Sequence, residues 1–211
     1  MKMQFPVEAF AAIETPFYYY DVELLQATLD TVKREAARYE GFHVHYAIKA
    51  NFNPRLLEII SKAGIGADCV SGGEVRAALN AGVPADKVVF AGVGKTDKEI
   101  AFSLDAGIFC FNVESVPEIE AIERLAAERG VVAQIAVRVN PNVGAHTHAN
   151  ITTGLAENKF GVNYEQLDEV IDVVESMPHL KLVGLHFHIG SQLLVMDDFI
   201  ALCCRINELQ E

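Results

Sequence analysis

The chain has 211 residues, 51% of them apolar and 22% charged, which is enough to bury a sizeable core and too apolar for a disordered or fibrous protein. Its formal net charge of −12 argues against a nucleic-acid partner, since phosphate binding needs a basic face. The opening MKMQFPVEAF holds no apolar signal region and no apolar run reaches the ~18 residues of a membrane span, so a cytoplasmic protein is expected.

In chain order, Phe17–Asp21 reads as a first strand, and Leu25, Leu29, Val32, Ala36 and Tyr39 then fall on one helical face. Further strands are expected at Phe42–Lys49, Ala67–Val70, Val88–Gly92, Ile108–Val113, Ala133–Asn140 and Leu182–Ile189. Between them Ser71 with Glu74, Thr96 with Glu99 and Ser115 with Glu118 have the spacing of capping boxes that open helices. Strands returning roughly every twenty residues imply a parallel sheet with right-handed crossovers, either open and doubly wound or closed as a (β/α)₈ barrel. Cys69, Cys110, Cys203 and Cys204 show neither metal spacing nor a CxxC motif and read as small hydrophobes.

Polar residues favour the barrel. His43, His45 and Lys49 share one parity of their strand, as do Gln134, Arg138 and Asn140, and as do His186 and His188. Parallel strands covered on both faces are normally apolar throughout, whereas a barrel active site gathers polar groups at strand C-termini. Residues 1–40 then form an N-terminal strand and lead-in helix, and residues 41–211 a partial barrel of about six βα units. The long stretch from Pro141 to Gly161 follows a strand's C-terminal end and would lie over the site.

Several side chains there could do chemistry. Lys49, at the end of a buried strand, offers a nucleophilic amine for an aldehyde cofactor, or else simply reaches solvent. His186 and His188 project the same way and are zinc ligands, a ring stacked on a cofactor, or satisfied core histidines. Gly190-Ser191 suits a phosphate oxygen or a plain turn. Asp68 and Arg138 are opposite charges at strand ends, suited to an ion pair in the barrel mouth. His146 and His148 are metal ligands or exposed polar residues of the loop.

The segment Tyr46-Ala-Ile-Lys49-Ala-Asn51 resembles the cofactor-lysine motif of the fold-type III pyridoxal-phosphate-dependent decarboxylases. Gly66-Ala-Asp68-Cys-Val-Ser71-Gly-Gly-Glu74 is similar to their next strand and helix start. Val137-Arg138-Val-Asn140-Pro141, Ala145-His-Thr-His148, Thr153-Gly154, Asn158-Lys159-Phe160-Gly161 and His186-Phe-His188-Ile-Gly190-Ser191-Gln192 resemble the branch acting on diaminopimelate. The resemblance implies pyridoxal phosphate held as an imine on Lys49, His188 stacked on its ring and Ser191 at its phosphate, with Asp68, Glu74 and Arg138 as polar neighbours. It also implies decarboxylation of meso-2,6-diaminopimelate to L-lysine by a homodimer with sites at the subunit interface. The barrel would be followed by a β-rich domain to which Phe17–Asp21 belongs.

Counted from Phe42 there are six barrel strands, and the family's glycine-rich phosphate loop and Glu-Pro-Gly-Arg segment are missing. A fragment of a larger protein, inactive alone, is therefore expected. Three alternatives are an ornithine- or arginine-type decarboxylase, a non-catalytic pyridoxal-phosphate-binding barrel, and a zinc-dependent barrel hydrolase using His186 and His188.

Overall fold

The computed structural model describes residues 5–141, 160–191 and 193–210. The chain divides into two compact units, residues 1–42 and 43–211. The first unit holds α1 (Val7–Phe10) and α2 (Val22–Ala36), the latter capped by the Asp21 carboxylate accepting from the Leu24 N–H at 2.9 Å. Leu29 is the buried residue of α2, and Tyr39 lies beyond its end, exposed. Phe10, the last residue of α1, packs against the rings of Phe17 and Tyr19, with centroids 5.3 and 5.0 Å away. Residues 17–20 form no strand, contrary to expectation, because a strand exists only through ladder hydrogen bonds and this stretch has no ladder partner among the described residues.

The second unit is a parallel sheet covered by helices. Its strands are β1 (His45–Ala47), β2 (Gly66–Cys69), β3 (Val88–Phe90), β4 (Cys110–Val113), β5 (Ala133–Asn140), the short β6 (Val162–Asn163) and β7 (Leu180–His186). They pair in the order β1-β2-β3-β4-β5, with β6 and β7 both on β5, and every pairing is parallel. The crossovers are α3 (Pro54–Lys62), α4 (Gly72–Asn80), α5 (Asp97–Ala106), α6 (Val116–Arg129) and α7 (Leu167–Glu175), with α8 (Met196–Gln210) after β7. This is the α/β alternation of a (β/α)₈ barrel, present in part. Among the described residues β1 pairs only with β2 and β7 only with β5, so the sheet is open.

Sequence fixes the helix starts locally. Asn53 caps α3 ahead of Pro54, whose missing N–H costs nothing in a first turn. Thr96 and Glu99 form the expected capping box on α5. The other two boxes are incomplete. Ser71 accepts from the Glu74 N–H at 3.2 Å, but the Glu74 carboxylate accepts from the Val70 N–H at 2.8 Å. Ser115 makes no side-chain cap, and the Glu118 carboxylate accepts from the Glu114 N–H and from Lys95 instead of reaching back to Ser115. Each glutamate thus ties its helix to the preceding strand end.

One strand parity supplies the core: Ala67, Cys69, Val88, Phe90, Phe111, Val113, Ile135, Val137 and Val139 pack against helix residues such as Val75, Ile100, Ile119 and Ile122. The opposite parity carries Asp68, Asn112, Arg138, Asn140 and His186. A bulge interrupts β7, where Ile135 pairs with Leu182 and Ala136 with Gly184, leaving Val183 as the extra residue. Both Leu182 and Leu185 can therefore pack on the core although three residues apart.

Candidate active site

The site is assembled at the carboxyl edge of this sheet. β1 stops at Ala47, earlier than expected, and Lys49 lies in a 3₁₀ turn over Ile48–Ala50. The turn is anchored by Ile48, which is fully buried in the core, and by the Tyr46 hydroxyl donating to the Asn51 carbonyl at 3.2 Å. Lys49 itself is exposed, not buried as the strand reading required. The amine is held at the sheet edge by a braced turn and is open to a partner.

Asp68 is next to it: Ala47 pairs with Asp68 in the β1–β2 ladder. Burial raises the Asp68 carboxyl above its ordinary value, the charges of Lys49 and His45 draw it down, and Glu74 pushes it up again. Gly66 makes room here, since a Cβ would lie 2.6 Å from both His45 Nδ1 and the Lys87 carbonyl.

Arg138 is buried on β5 and binds Glu114, both carboxylate oxygens lying 3.1 Å from its Nη1. The expected pairing with Asp68 does not occur. β4 pairs directly with β5 through Val113 and Val137, so the next residue of the chain, Glu114, meets Arg138, whereas β3 and β4 separate Asp68 from it. The guanidinium also lies 5.7 Å from the Phe160 ring centroid. Gly161, at φ +86°, passes so close that a Cβ would be 3.0 Å from the Arg138 carbonyl.

Arg138 is the register partner of His186. Burial, then the charges of Arg138, His188 and Lys95, push the His186 ring down to about 4. His188, beyond the end of β7, is lowered by burial first and by Arg138 and Lys49 next. Both rings are therefore held towards the neutral form. Lys49, Asp68, Arg138 and His188 thus share one field, with Glu74 joined through Asp68. Ser191 is an exposed bend residue three positions beyond His188. His146, His148, Thr153, Asn158, Lys159 and Gln192 lie outside the described residues. The sequence reading missed Glu114 and Lys95, although Glu114 follows directly on an expected strand and so satisfies the rule that found Asp68.

Acid stability reports this electrostatic arrangement. Between pH 6.5 and about 4 the unfolded chain protonates His186 while the folded chain resists. Stability therefore falls as pH drops through that window, by on the order of 3 kcal/mol from this ring. Urea unfolding at several pH values should give a flatter profile for His186→Gln than for the native sequence. Parallel profiles would place the ring in water.

A parallel α/β sheet that gathers an open lysine, a buried carboxyl, a buried arginine and neutral imidazoles at its carboxyl edge defines a cofactor-binding barrel unit. Residues 25–209 match the family described as pyridoxal-dependent decarboxylase, pyridoxal binding domain, and the chain belongs to that family. It is 61% identical to the diaminopimelate decarboxylase of Bacteroides thetaiotaomicron over all 211 residues, which are 55% of that protein. A crystal structure of diaminopimelate decarboxylase from Helicobacter pylori complexed with L-lysine superposes with a TM-score of 0.90 at 39% identity, covering 97% of this chain and 52% of that one. An arginine decarboxylase of Paramecium bursaria Chlorella virus, 20% identical with a TM-score of 0.73 over 87% of this chain and 47% of its own, shares the fold. The chain spans about half the length of the curated relatives it matches.

The residues present fit pyridoxal phosphate, the cofactor of this family. An aldehyde needs an accessible amine, which Lys49 supplies, and an aromatic ring needs an uncharged flat surface, which His188 supplies. Among the described residues no helix is long and apolar enough to cross a membrane.

Proposed function

We propose that this chain is the cofactor-binding part of an enzyme that decarboxylates meso-2,6-diaminopimelate to L-lysine and CO₂. The observation that carries the reading is Lys49 standing open beside Asp68 and His188 at the sheet's carboxyl edge, in a chain so similar to diaminopimelate decarboxylases. The relative bound to L-lysine holds the product of that reaction. Residues 41–211 are assigned as the partial barrel and residues 1–40 as its lead-in. The complete protein is a cytoplasmic homodimer in this reading, which suits the four free cysteines.

When bound, pyridoxal phosphate supplies a ring that accepts the electron pair left as CO₂ departs. Lys49 would hold the cofactor, since its exposed amine is the group that an imine with an aldehyde requires. Asp68 would set a carboxyl raised by burial next to the Lys49 amine, whose charge draws it back down. His188 offers a neutral face for the ring, Ser191 offers its hydroxyl to the phosphate, and Arg138 fixes the positive potential around them. Glu74 borders the cofactor through Asp68 while tying α4 to the end of β2.

Two measurements on the complete enzyme test this. Substrate choice is the first, because ornithine and arginine decarboxylases use the same barrel. CO₂ should be released from meso-diaminopimelate much faster than from ornithine, and the reverse order would refute the assignment. The second separates the two histidines. His188→Ala should weaken cofactor binding by about 1 kcal/mol through loss of a stacking face, while His186→Ala should chiefly affect stability. Greater cofactor dependence in His186→Ala would show the rings reversed.

A further inference from the structure

Lys95 has entered the site only as a charge acting on His186, yet its side chain is only 1% exposed. A buried ammonium is tolerated only when paired and hydrogen-bonded. Its Nζ donates to the Gly92 carbonyl at 2.8 Å, to the Asn112 carbonyl at 2.8 Å and to Glu118 Oε1 at 2.6 Å. It also lies 5.2 Å from the Phe90 ring centroid. The other Glu118 oxygen accepts from the Glu114 backbone N–H at 2.9 Å. Glu114 in turn grips Arg138. An unbroken chain of buried contacts thus runs from the loop after β3, through the first turn of α6 and the end of β4, to β5.

We propose that Lys95 and Glu118 are positioning residues of the cofactor site: they fix the Glu114 backbone, and through its side chain they hold the Arg138 guanidinium beside His188. This rests on the reading that Arg138 and His188 line that site. Glu114 can present both oxygens to one guanidinium nitrogen only if its own backbone is held. The hold is Glu118, and Glu118 is kept in the interior by the charge of Lys95. Without Lys95 the Glu118 carboxylate would be buried with no countercharge, would turn towards water, and would release the Glu114 N–H. A clasp that merely secures the loop after β3 would lower stability without touching His188.

His188 gives a readout that separates the two. Arg138 from β5 and Lys49 from the turn after β1 act on its charge, and so does the neighbouring ring of His186, which itself feels Lys95. A change in its titration on replacing Lys95 that disappears once Arg138 is also replaced comes through the Arg138 guanidinium.

The experiment uses the complete enzyme stripped of cofactor, with isotope-labelled histidine followed by NMR, and measures pyridoxal phosphate binding separately. Lys95→Met and Glu118→Gln should each raise the His188 titration midpoint as the cation beside it moves off. Each should weaken pyridoxal phosphate binding about tenfold. In an Arg138→Gln background, Lys95→Met should add nothing to either effect. An unchanged His188 midpoint in both single variants would overturn the proposal, as would an undiminished Lys95→Met effect in the Arg138→Gln background. Should Lys95→Met not fold, Glu118→Gln, which retains an acceptor, decides alone. Failure of the native protein to bind pyridoxal phosphate would instead overturn the site reading, while the His188 titration still decides the positioning.

Discussion

Replacing Lys49 by alanine in the complete enzyme should remove turnover while leaving the fold in place. Lys49 is exposed in a turn whose anchor is Ile48, so its loss should change stability by no more than about 0.5 kcal/mol, as for other surface substitutions. Turnover should fall by at least ~10²–10⁴-fold, the range that a positioned acid–base group alone supplies, because a covalent role is lost as well. The pairing of unchanged urea midpoint with lost activity is the signature. A variant that keeps a tenth of native turnover would remove Lys49 from the chemistry.

The opposite signature is expected at Glu114. Removing it leaves the Arg138 guanidinium buried without its carboxylate, and breaking such a pair costs about 3–5 kcal/mol. Glu114→Ala should therefore lower the urea midpoint sharply. Replacing both partners, Glu114→Leu with Arg138→Met, should recover much of the stability, since well-packed apolar residues often match a buried ion pair. Cofactor affinity should not recover with it, because the positive charge near His186 and His188 is gone. A loss under about 1 kcal/mol for Glu114→Ala would mean that water reaches the pair.

The separation of these two effects reflects what a sequence can and cannot display. The alternation of polar and apolar residues in Ala133–Asn140 marked the inner and outer faces of β5, and the structure places Ile135, Val137 and Val139 in the core with Arg138 opposite. Asp68 was legible as a charge at a strand end, which is likewise a local property. Pairing is not local. Arg138 takes Glu114 because of which strands are neighbours, and strand order is set by the whole fold.

The Ser115–Glu118 spacing was legible, yet the carboxylate turned to Lys95, a contact 23 residues away that no local pattern encodes. The bulge at Val183 was equally hidden, since a strict alternation was the simpler reading of Leu182–Ile189. Phe17–Asp21 had strand composition but no partner to pair with among the described residues. The exposure of Lys49 was missed because the strand ends two residues sooner than its composition suggested.

The most direct test of the central reading is to reduce the complete, cofactor-loaded enzyme with borohydride and map the modified peptide. Lys49 should carry pyridoxal phosphate, and the label should be absent from Lys95, whose ammonium is buried with three acceptors already engaged. Label on Lys95 or Lys62, with Lys49 unmodified, would contradict the account.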